Sequence, residues 1–599
     1  MARLGQVLRE ARERKGCSWR EIEAATGLWP EYVQALEREN PGRFTSAGHF
    51  RSALRLYARY LGLDVREVLS LWERAAARPG RDRGEPPARG TGVAYRTAVA
   101  ALVISLSMAI CGITGLYGYR WLRALGGPDG DLFSIWPGGT APLASPSVLP
   151  SPTPYSPISS TSVPRYVITA TVDYEGHSLA VQERIDYANR SGETLNDVVL
   201  NVFPNHQPDL FALNHLSLEF GTGPMSTTHT LEGMALSVPL PQELEPGRVA
   251  TLFLEFSLQL PYIDPQDSFT SGAFGWSDSV LDLGHWYPAL APLLPGVGWR
   301  ALGYHPVGDP YVMEEADYDV RIWAPEGVTV VGGGELEREG NLWHYRLSQA
   351  RSFGFAASDQ YVSSSTEIAG ATVTSYYLPE HEGAGVDVAR FAAEALEVFE
   401  EEFGVPYPYA DYRVAETEFA GGMEFSGLAF LGSLWYETYP GGVRCQLIAL
   451  LVHEVSHQWW YGLVGSDQVS EPWLDEALAT YSELLFYRLR YPDDHLWAWD
   501  FEVFNRQPAG AIDQSIYDFS DQASYMNAVY RRGALFLGDL RQTIGEEEFR
   551  QFLQDYAQSQ AHTISTEAEF FSILSRHTNK DFSPLLEEYF ARPPGEETT

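Results

Sequence analysis

The chain has 599 residues, with 42 Lys plus Arg against 79 Asp plus Glu and a formal charge of −37. That length suggests about four domains, and a hydrophobic content of 45% excludes wholesale disorder and collagen-like repeats. The charge argues against nucleic acid as a partner of the whole molecule. Three cysteines, Cys17, Cys111 and Cys445, cannot build a disulfide framework. The charge is unevenly spread: residues 1–96 carry a net +6 and the remainder a net −43.

Residues 1–75 read as short helices. The stretch LGQVLREARERKG places Leu4, Val7, Leu8 and Ala11 on one face. Ser18 and Glu21 have capping-box spacing before WREIEAATG, and PEYVQALERE follows as a third helix. This spacing resembles helix-turn-helix domains of the Xre/Cro type. FRSALRLYARYLGLDVREVL resembles, more narrowly, the cytoplasmic domain of RodZ-type cell-shape proteins. That resemblance implies an actin-like filament protein as partner. The third helix carries Glu31, Glu37 and Glu39 against Arg38, which favours a cytoplasmic protein partner over DNA.

A basic linker, 76–96, leads to 23 residues without a charge, 97–119. As a helix of about 34 Å this segment is long enough to cross a bilayer. Arg81, Arg83, Arg89 and Arg96 precede it, and Arg120 and Arg123 follow. The excess points to a single-pass anchor in membrane lipid with its N-terminus in the cytoplasm. Residues 120–164 form a stalk, since Pro137 to Pro164 holds 8 Pro and 7 Ser. The remainder would lie outside the cell membrane.

From 165 to about 375, YVITATVDY, LAVQERIDYAN, VVLNVF, ATLFLEFSLQL and YDVRIWAP alternate like strands, which predicts an all-β domain. Asp282 and His285 beside Trp286 are read as structural rather than as a metal pair.

The chemistry lies in 376–599. RCQLIALLVHEVSHQWWYG is an apolar helix bearing His453 and His457, four apart and so on one face, with Glu454 between them. Glu476 follows after 18 residues, on a helix face shared with Thr480 and Glu483. Two His and one Glu leave a fourth tetrahedral position open, the pattern of a catalytic zinc, one ion, with Glu454 as general base.

H-E-x-x-H-x18-E resembles the signature of the gluzincin aminopeptidases, the aminopeptidase N and leukotriene hydrolase family. Similar to that family are also GGMEFSG (421–427), AVYRRGALFL, LGHWYPALAP and DPYVMEEADYDV. The resemblance covers about residues 165–590. It implies a saddle-like all-β domain followed by a mainly α, thermolysin-like zinc domain, and peptides as substrates. It casts Tyr530 as donor to the tetrahedral oxyanion and Glu424 as holder of the peptide ammonium. Gly421, Gly422 and Met423 then line the substrate strand, and Glu483 supports a ligating His. Two departures stand out. Phe425 occupies the position of the family's usual Asn, and no β-domain acid is evident for the amine. The chain ends 69 residues after Tyr530, which leaves out the large C-terminal helical domain of longer members and implies a more open site. A membrane-anchored zinc aminopeptidase is the leading expectation. A zinc endopeptidase on the same scaffold and a non-catalytic peptide sensor are the alternatives.

Overall fold

The structure is a computed structural model. It describes residues 4–17, 30–39 and scattered positions to 72, then 163–592 apart from 222, 264–272, 295, 369 and 507. The expected anchor at 97–119, the stalk to residue 162 and the second helix of the N-terminal domain, apart from Ile22, lie outside the described residues. Among the described residues no helix is long and apolar enough to cross a membrane.

In the N-terminal region, α1 (Leu4–Lys15) and α2 (Pro30–Glu37) form as the periodicity predicts. Leu4, Leu8 and Ala11 are buried, while Val7 is half-buried. The charge argument for α2 needs correcting. Glu37 points inward: Arg12 Nε donates to it at 2.7 Å and the Tyr57 hydroxyl at 2.7 Å. Burial opposes its charge, yet these bonds hold its carboxyl below the usual range. Its charge is therefore neutralised within the domain and does not face a partner.

The β-rich part is built on an eight-stranded sheet. Its central members are β1 (Arg165–Asp173), β2 (Ser178–Ala188), β3 (Phe211–Glu219), β4 (Val249–Gln259), β5 (Ala316–Trp323) and β6 (Leu342–Ala350). They lie in the order β6-β5-β1-β2-β4-β3, with only the β1–β5 pair parallel. Strand β2 shows why the period of two was legible, since buried and half-buried residues alternate along SLAVQERI before its last residues become buried on both faces. Two four-stranded sheets accompany it, and Trp286, Tyr166 and Tyr318 are buried in the core of this part.

A five-stranded sheet follows: β7 (Val362–Ile368), β8 (Ala371–Tyr377), β9 (Asp411–Thr417), β10 (Gly422–Phe425) and β11 (Leu428–Gly432), in the order β7-β8-β9-β11-β10. Because β8 pairs with β9, this sheet begins upstream of the expected boundary at 375, which falls inside β8. The helices α3 (Glu382–Phe403), α4 (Gln446–Ser456), α5 (Trp473–Arg490), α6 (Gly533–Ile544), α7 (Glu546–Ser559) and α8 (Glu567–His577) make up most of the rest. Their core is aromatic, with Trp459, Trp473, Phe536, Phe552 and Phe570 buried together.

Phe425 joins the two halves. It is fully buried, packed with Val331 and Ala356 of the β-rich part and Phe430 of β11. Gly284 and Gly354 make room for its ring, because a Cβ at either would stand 3.0 or 2.9 Å from it. The Asn expected from the family pattern is thus replaced by an apolar anchor between domains.

Candidate active site

Apolar residues Leu447, Ile448, Leu451, Val452 and Val455 seat α4 in the core and carry His453 and Glu454 in with them. His457 stands at the C-cap. Helix α5 begins with Asp475 and Glu476 in its first turn, where the helix dipole favours negative charge. The intervening loop is held from the β-rich part. Arg351 is 2% exposed, and its guanidinium donates to the carbonyls of Tyr461 at 2.5 Å and Thr563 at 2.6 Å. Tyr461 sits at φ 133, and its hydroxyl is bonded to Ser352 at 2.6 Å. Two residues after β6 therefore fix the loop that separates the two ligand-bearing helices.

His453, His457 and Glu476 converge, with one donor atom from each within 4.8 Å of the others and all three buried. Nε2 of His453 lies 3.1 Å and Nε2 of His457 3.7 Å from Oε2 of Glu476. Both Nδ1 atoms face supporting groups. That of His453 is hydrogen-bonded to Glu483 at 2.7 Å. That of His457 lies 2.8 Å from the Trp460 carbonyl and 2.7 Å from Asp475. Such partners orient a ligating imidazole and raise its basicity. Glu483 was anticipated from its helix face; Asp475 was missed, although an acid adjacent to Glu476 in the same first turn was the available signal. Two imidazoles and a carboxylate without cysteine suit zinc in an open, catalytic coordination. Glu454 Oε2, buried without a hydrogen-bond partner among the described residues, points to a further polar occupant of the same space.

Tyr530 reaches this centre from a wide-turned helical segment, Met526–Arg532, ahead of α6. Gly533 permits the approach, since a Cβ there would stand 2.3 Å from Ala477 of α5. The Tyr530 hydroxyl donates to Glu476 Oε1 at 2.5 Å. Burial and the Glu476 charge keep the phenol protonated, well above its usual value.

A cavity of about 350 Å³ runs over these groups. Gly421, Gly422, Met423 and Glu424 all line it. Gly422 has a reason the sequence did not disclose: a Cβ there would lie 2.1 Å from Glu454 Oε1. Glu424 is held by Gln468, whose amide donates to it at 3.2 Å and to Asp475 at 2.6 Å. Burial pushes the Glu424 carboxyl up to about 7, against the pull of His457.

The β-rich part does supply an acid. Asp309 lines the cavity from a loop between Gly308 and Pro310, and its carboxyl is raised by burial and by neighbouring Glu424. It lies in a stretch singled out only for family likeness. Its neighbour Tyr311 stacks on His285 at 3.6 Å. His285, which burial keeps neutral with a value near 3, is thus structural, and neither it nor Asp282 belongs to a metal cluster among the described residues.

Two histidines and one glutamate on this fold form the donor set that a zinc metallopeptidase would use. Residues 389–589 match the model of the peptidase family M1 domain. Residues 7–68 match a helix-turn-helix domain model. Aminopeptidase N of Lactococcus lactis subsp. lactis is 24% identical over 320 residues, 48% of this chain and 37% of that one. Leucyl aminopeptidase of Saccharolobus solfataricus is 22% identical over 223 residues, 34% of this chain and 28% of that one. The matched segment thus spans 37% of the first relative and 28% of the second. The crystal structure of an M1 zinc metallopeptidase from Deinococcus radiodurans shares the fold, with TM-score 0.53 at 18% identity, over 73% of this chain and 96% of that one.

Proposed function

We propose that the chain is an aminopeptidase that removes N-terminal residues from peptides, using one zinc ion. The observation that carries this reading is the pair of carboxylates, Glu424 and Asp309, lining the same cavity as His453, His457, Glu476 and Glu454. Two acids in a half-enclosed site suit an ammonium group, and a peptide has one such group at a fixed distance from its first amide bond.

A zinc ion held by His453, His457 and Glu476 would supply Lewis-acid polarisation of the carbonyl and acidification of water. Glu454 accepts the proton of the attacking water. Burial raises its carboxyl, with His453 and His457 pulling the other way, and a positioned carboxylate beside the attacking water can take and return its proton. Tyr530 donates a hydrogen bond to the oxygen that gains charge as water adds to the carbonyl carbon. The C–N bond then breaks, and Glu454 delivers its proton to the leaving nitrogen. Purified chain should hydrolyse aminoacyl arylamides, lose that activity to chelator, and leave the N-acetylated analogue intact. Equal cleavage of free and acetylated substrates would give the reading to an endopeptidase.

For the N-terminal domain we keep docking to a cytoplasmic protein as the proposal. With the Glu37 charge spent on Arg12, DNA stands as the competing partner, and gel shift against filament-protein pull-down with the full chain decides between them. Residues 97–119 are proposed to anchor the chain in the cell membrane with the peptidase domain outside, which protease accessibility on intact cells and on opened cells would test.

A further inference from the structure

Gln468 lies between two carboxylates of the site. It is 4% exposed, and its amide nitrogen donates to Glu424 Oε1 at 3.2 Å and to Asp475 Oδ2 at 2.6 Å. An amide oxygen would be repelled by both acids, so the chemistry settles which end of the amide faces them. Asp475 in turn sets Oδ1 2.7 Å from Nδ1 of His457. One side chain therefore ties the proposed anchor of the substrate amine to the support of an expected metal ligand.

The tie matters because of where Glu424 is carried. Strand β10 has four residues and lies at the edge of its sheet, paired with β11 alone. His457 closes α4 and Asp475 opens α5, so the spacing of Glu424 from His457 is set across separate elements. The loop that bears Gln468 is itself pinned. Asp467 accepts from the backbone N–H groups of Val469 at 3.1 Å and Ser470 at 2.9 Å. Arg300 of the β-rich part donates to Asp467 at 3.1 Å and to the Ser470 hydroxyl at 2.6 Å. The Val469 carbonyl accepts from the Ser515 hydroxyl at 2.9 Å. Held on both sides, the backbone gives the Gln468 amide a fixed origin. We propose that Gln468 is a positioning residue that sets the register of cleavage. By fixing Glu424 relative to His457, it places the peptide bond one α-carbon from the ammonium at the catalytic centre. The inference rests on the aminopeptidase reading. A β-amino acid adds one carbon, about 1.5 Å, between amine and carbonyl, and a misplacement on the order of 1 Å can cost about 10²-fold in rate.

The test measures kcat and KM for L-alanyl and L-β-homoalanyl arylamides with the same leaving group. It compares wild type with Gln468→Met, which keeps the length of the side chain and loses the donor. Wild type should prefer the α-substrate by about 10²-fold in kcat/KM. Gln468→Met should cut that preference about tenfold, the scale of a lost hydrogen bond to a charged group. The change should come chiefly from a higher KM for the α-substrate, with zinc content and unfolding temperature near wild type. A role in packing alone would lower kcat for both substrates alike and leave the ratio unchanged. That result, like a wild type that takes both substrates equally, overturns the register and leaves the aminopeptidase reading standing. Hydrolysis of neither arylamide by wild type removes the aminopeptidase reading and this inference with it. Should Gln468→Met fail to fold, Gln468→Asn is judged by the same ratio, because its amide sits one carbon too far back to bond both acids.

Discussion

The hydroxyl of Tyr530 donates to Oε1 of Glu476 at 2.5 Å, while Oε2 of the same carboxylate faces Nε2 of His453 at 3.1 Å. One carboxylate thus links the donor expected at the oxyanion to the expected metal ligands. The Tyr530 ring also lies parallel to that of His453, 5.7 Å between centroids. Removing the hydroxyl should leave metal binding intact and remove one transition-state hydrogen bond. Tyr530→Phe is expected to lower kcat by about 10²- to 10³-fold with KM and zinc content little changed. Steady-state kinetics and elemental analysis check this, and a kcat near wild type would remove Tyr530 from the mechanism.

Gly422 tests whether the position of Glu454 matters as much as its presence. A methyl at 422 would collide with Glu454 Oε1 at 2.1 Å and Cδ at 2.7 Å. Gly422→Ala should therefore displace the general base by a fraction of its reach and cost about 10²-fold in kcat. Glu454→Gln should cost more, because no proton acceptor remains. Matching unfolding temperatures for the two variants and wild type would show that the loss is local.

The ammonium grip proposed above divides between Glu424, which the sequence disclosed, and Asp309, which it concealed; both line the cavity. Glu424→Gln and Asp309→Asn should each raise KM for a free-amine substrate by about tenfold, the scale of one lost charge-assisted hydrogen bond. The double variant should narrow the gap between free and N-acetylated substrates. An Asp309→Asn enzyme with unaltered KM would leave Glu424 as the sole anchor.

What could be read from the sequence follows from where each contact lies along the chain. His453, Glu454 and His457 share a single helical stretch, and Glu476 opens the next, so spacing and helix periodicity placed all four. Glu483 was readable for the same reason, being on the Glu476 face. Asp309 was not, because its neighbourhood with Glu424 is made by folding a loop of the β-rich part across the catalytic helices, and nothing in Gly308-Asp309-Pro310 marks that approach. The expected boundary at 375 falls inside β8, because the pattern along one segment does not say which sheet a strand joins. In α2 the helix itself was legible, but the burial of Glu37 depends on Arg12 and Tyr57, which no count of charges along one helix can see.

Phe425 offers a prediction in which restoring a family pattern does harm. Its ring is fully buried against Gly284 and Gly354, and only its backbone carbonyl, accepting from Gln458 at 3.0 Å, takes part in the hydrogen bonding behind the site. Phe425→Asn should destabilise the chain by about 3–5 kcal/mol, the cost of emptying an aromatic site in a core, and should not raise kcat/KM. Denaturant titration gives the first number and arylamide kinetics the second. A stable, faster variant would show that the missing amide had limited catalysis.

Glu546 links three helices and sets a pH dependence. It opens α7 and bridges Arg488 of α5 and Arg541 of α6, each at 2.5 Å. Burial opposes its charge, but the two guanidinium groups prevail and lower its carboxyl from 4.5 to about 2. A value lower in the folded chain than in the unfolded one means that the stabilisation is fully present above about 4.5. It is lost as pH falls from there toward 2. The side chain is 55% exposed, so solvent screening holds the contribution to about 1 kcal/mol or less. Wild type should exceed Glu546→Gln in stability at pH 7 by that amount, with the difference shrinking steadily between pH 4.5 and 3. Reading the difference between the two proteins cancels the other carboxylates and the release of metal that acid also brings. A gap that is constant with pH would mean the pair contributes through packing rather than charge.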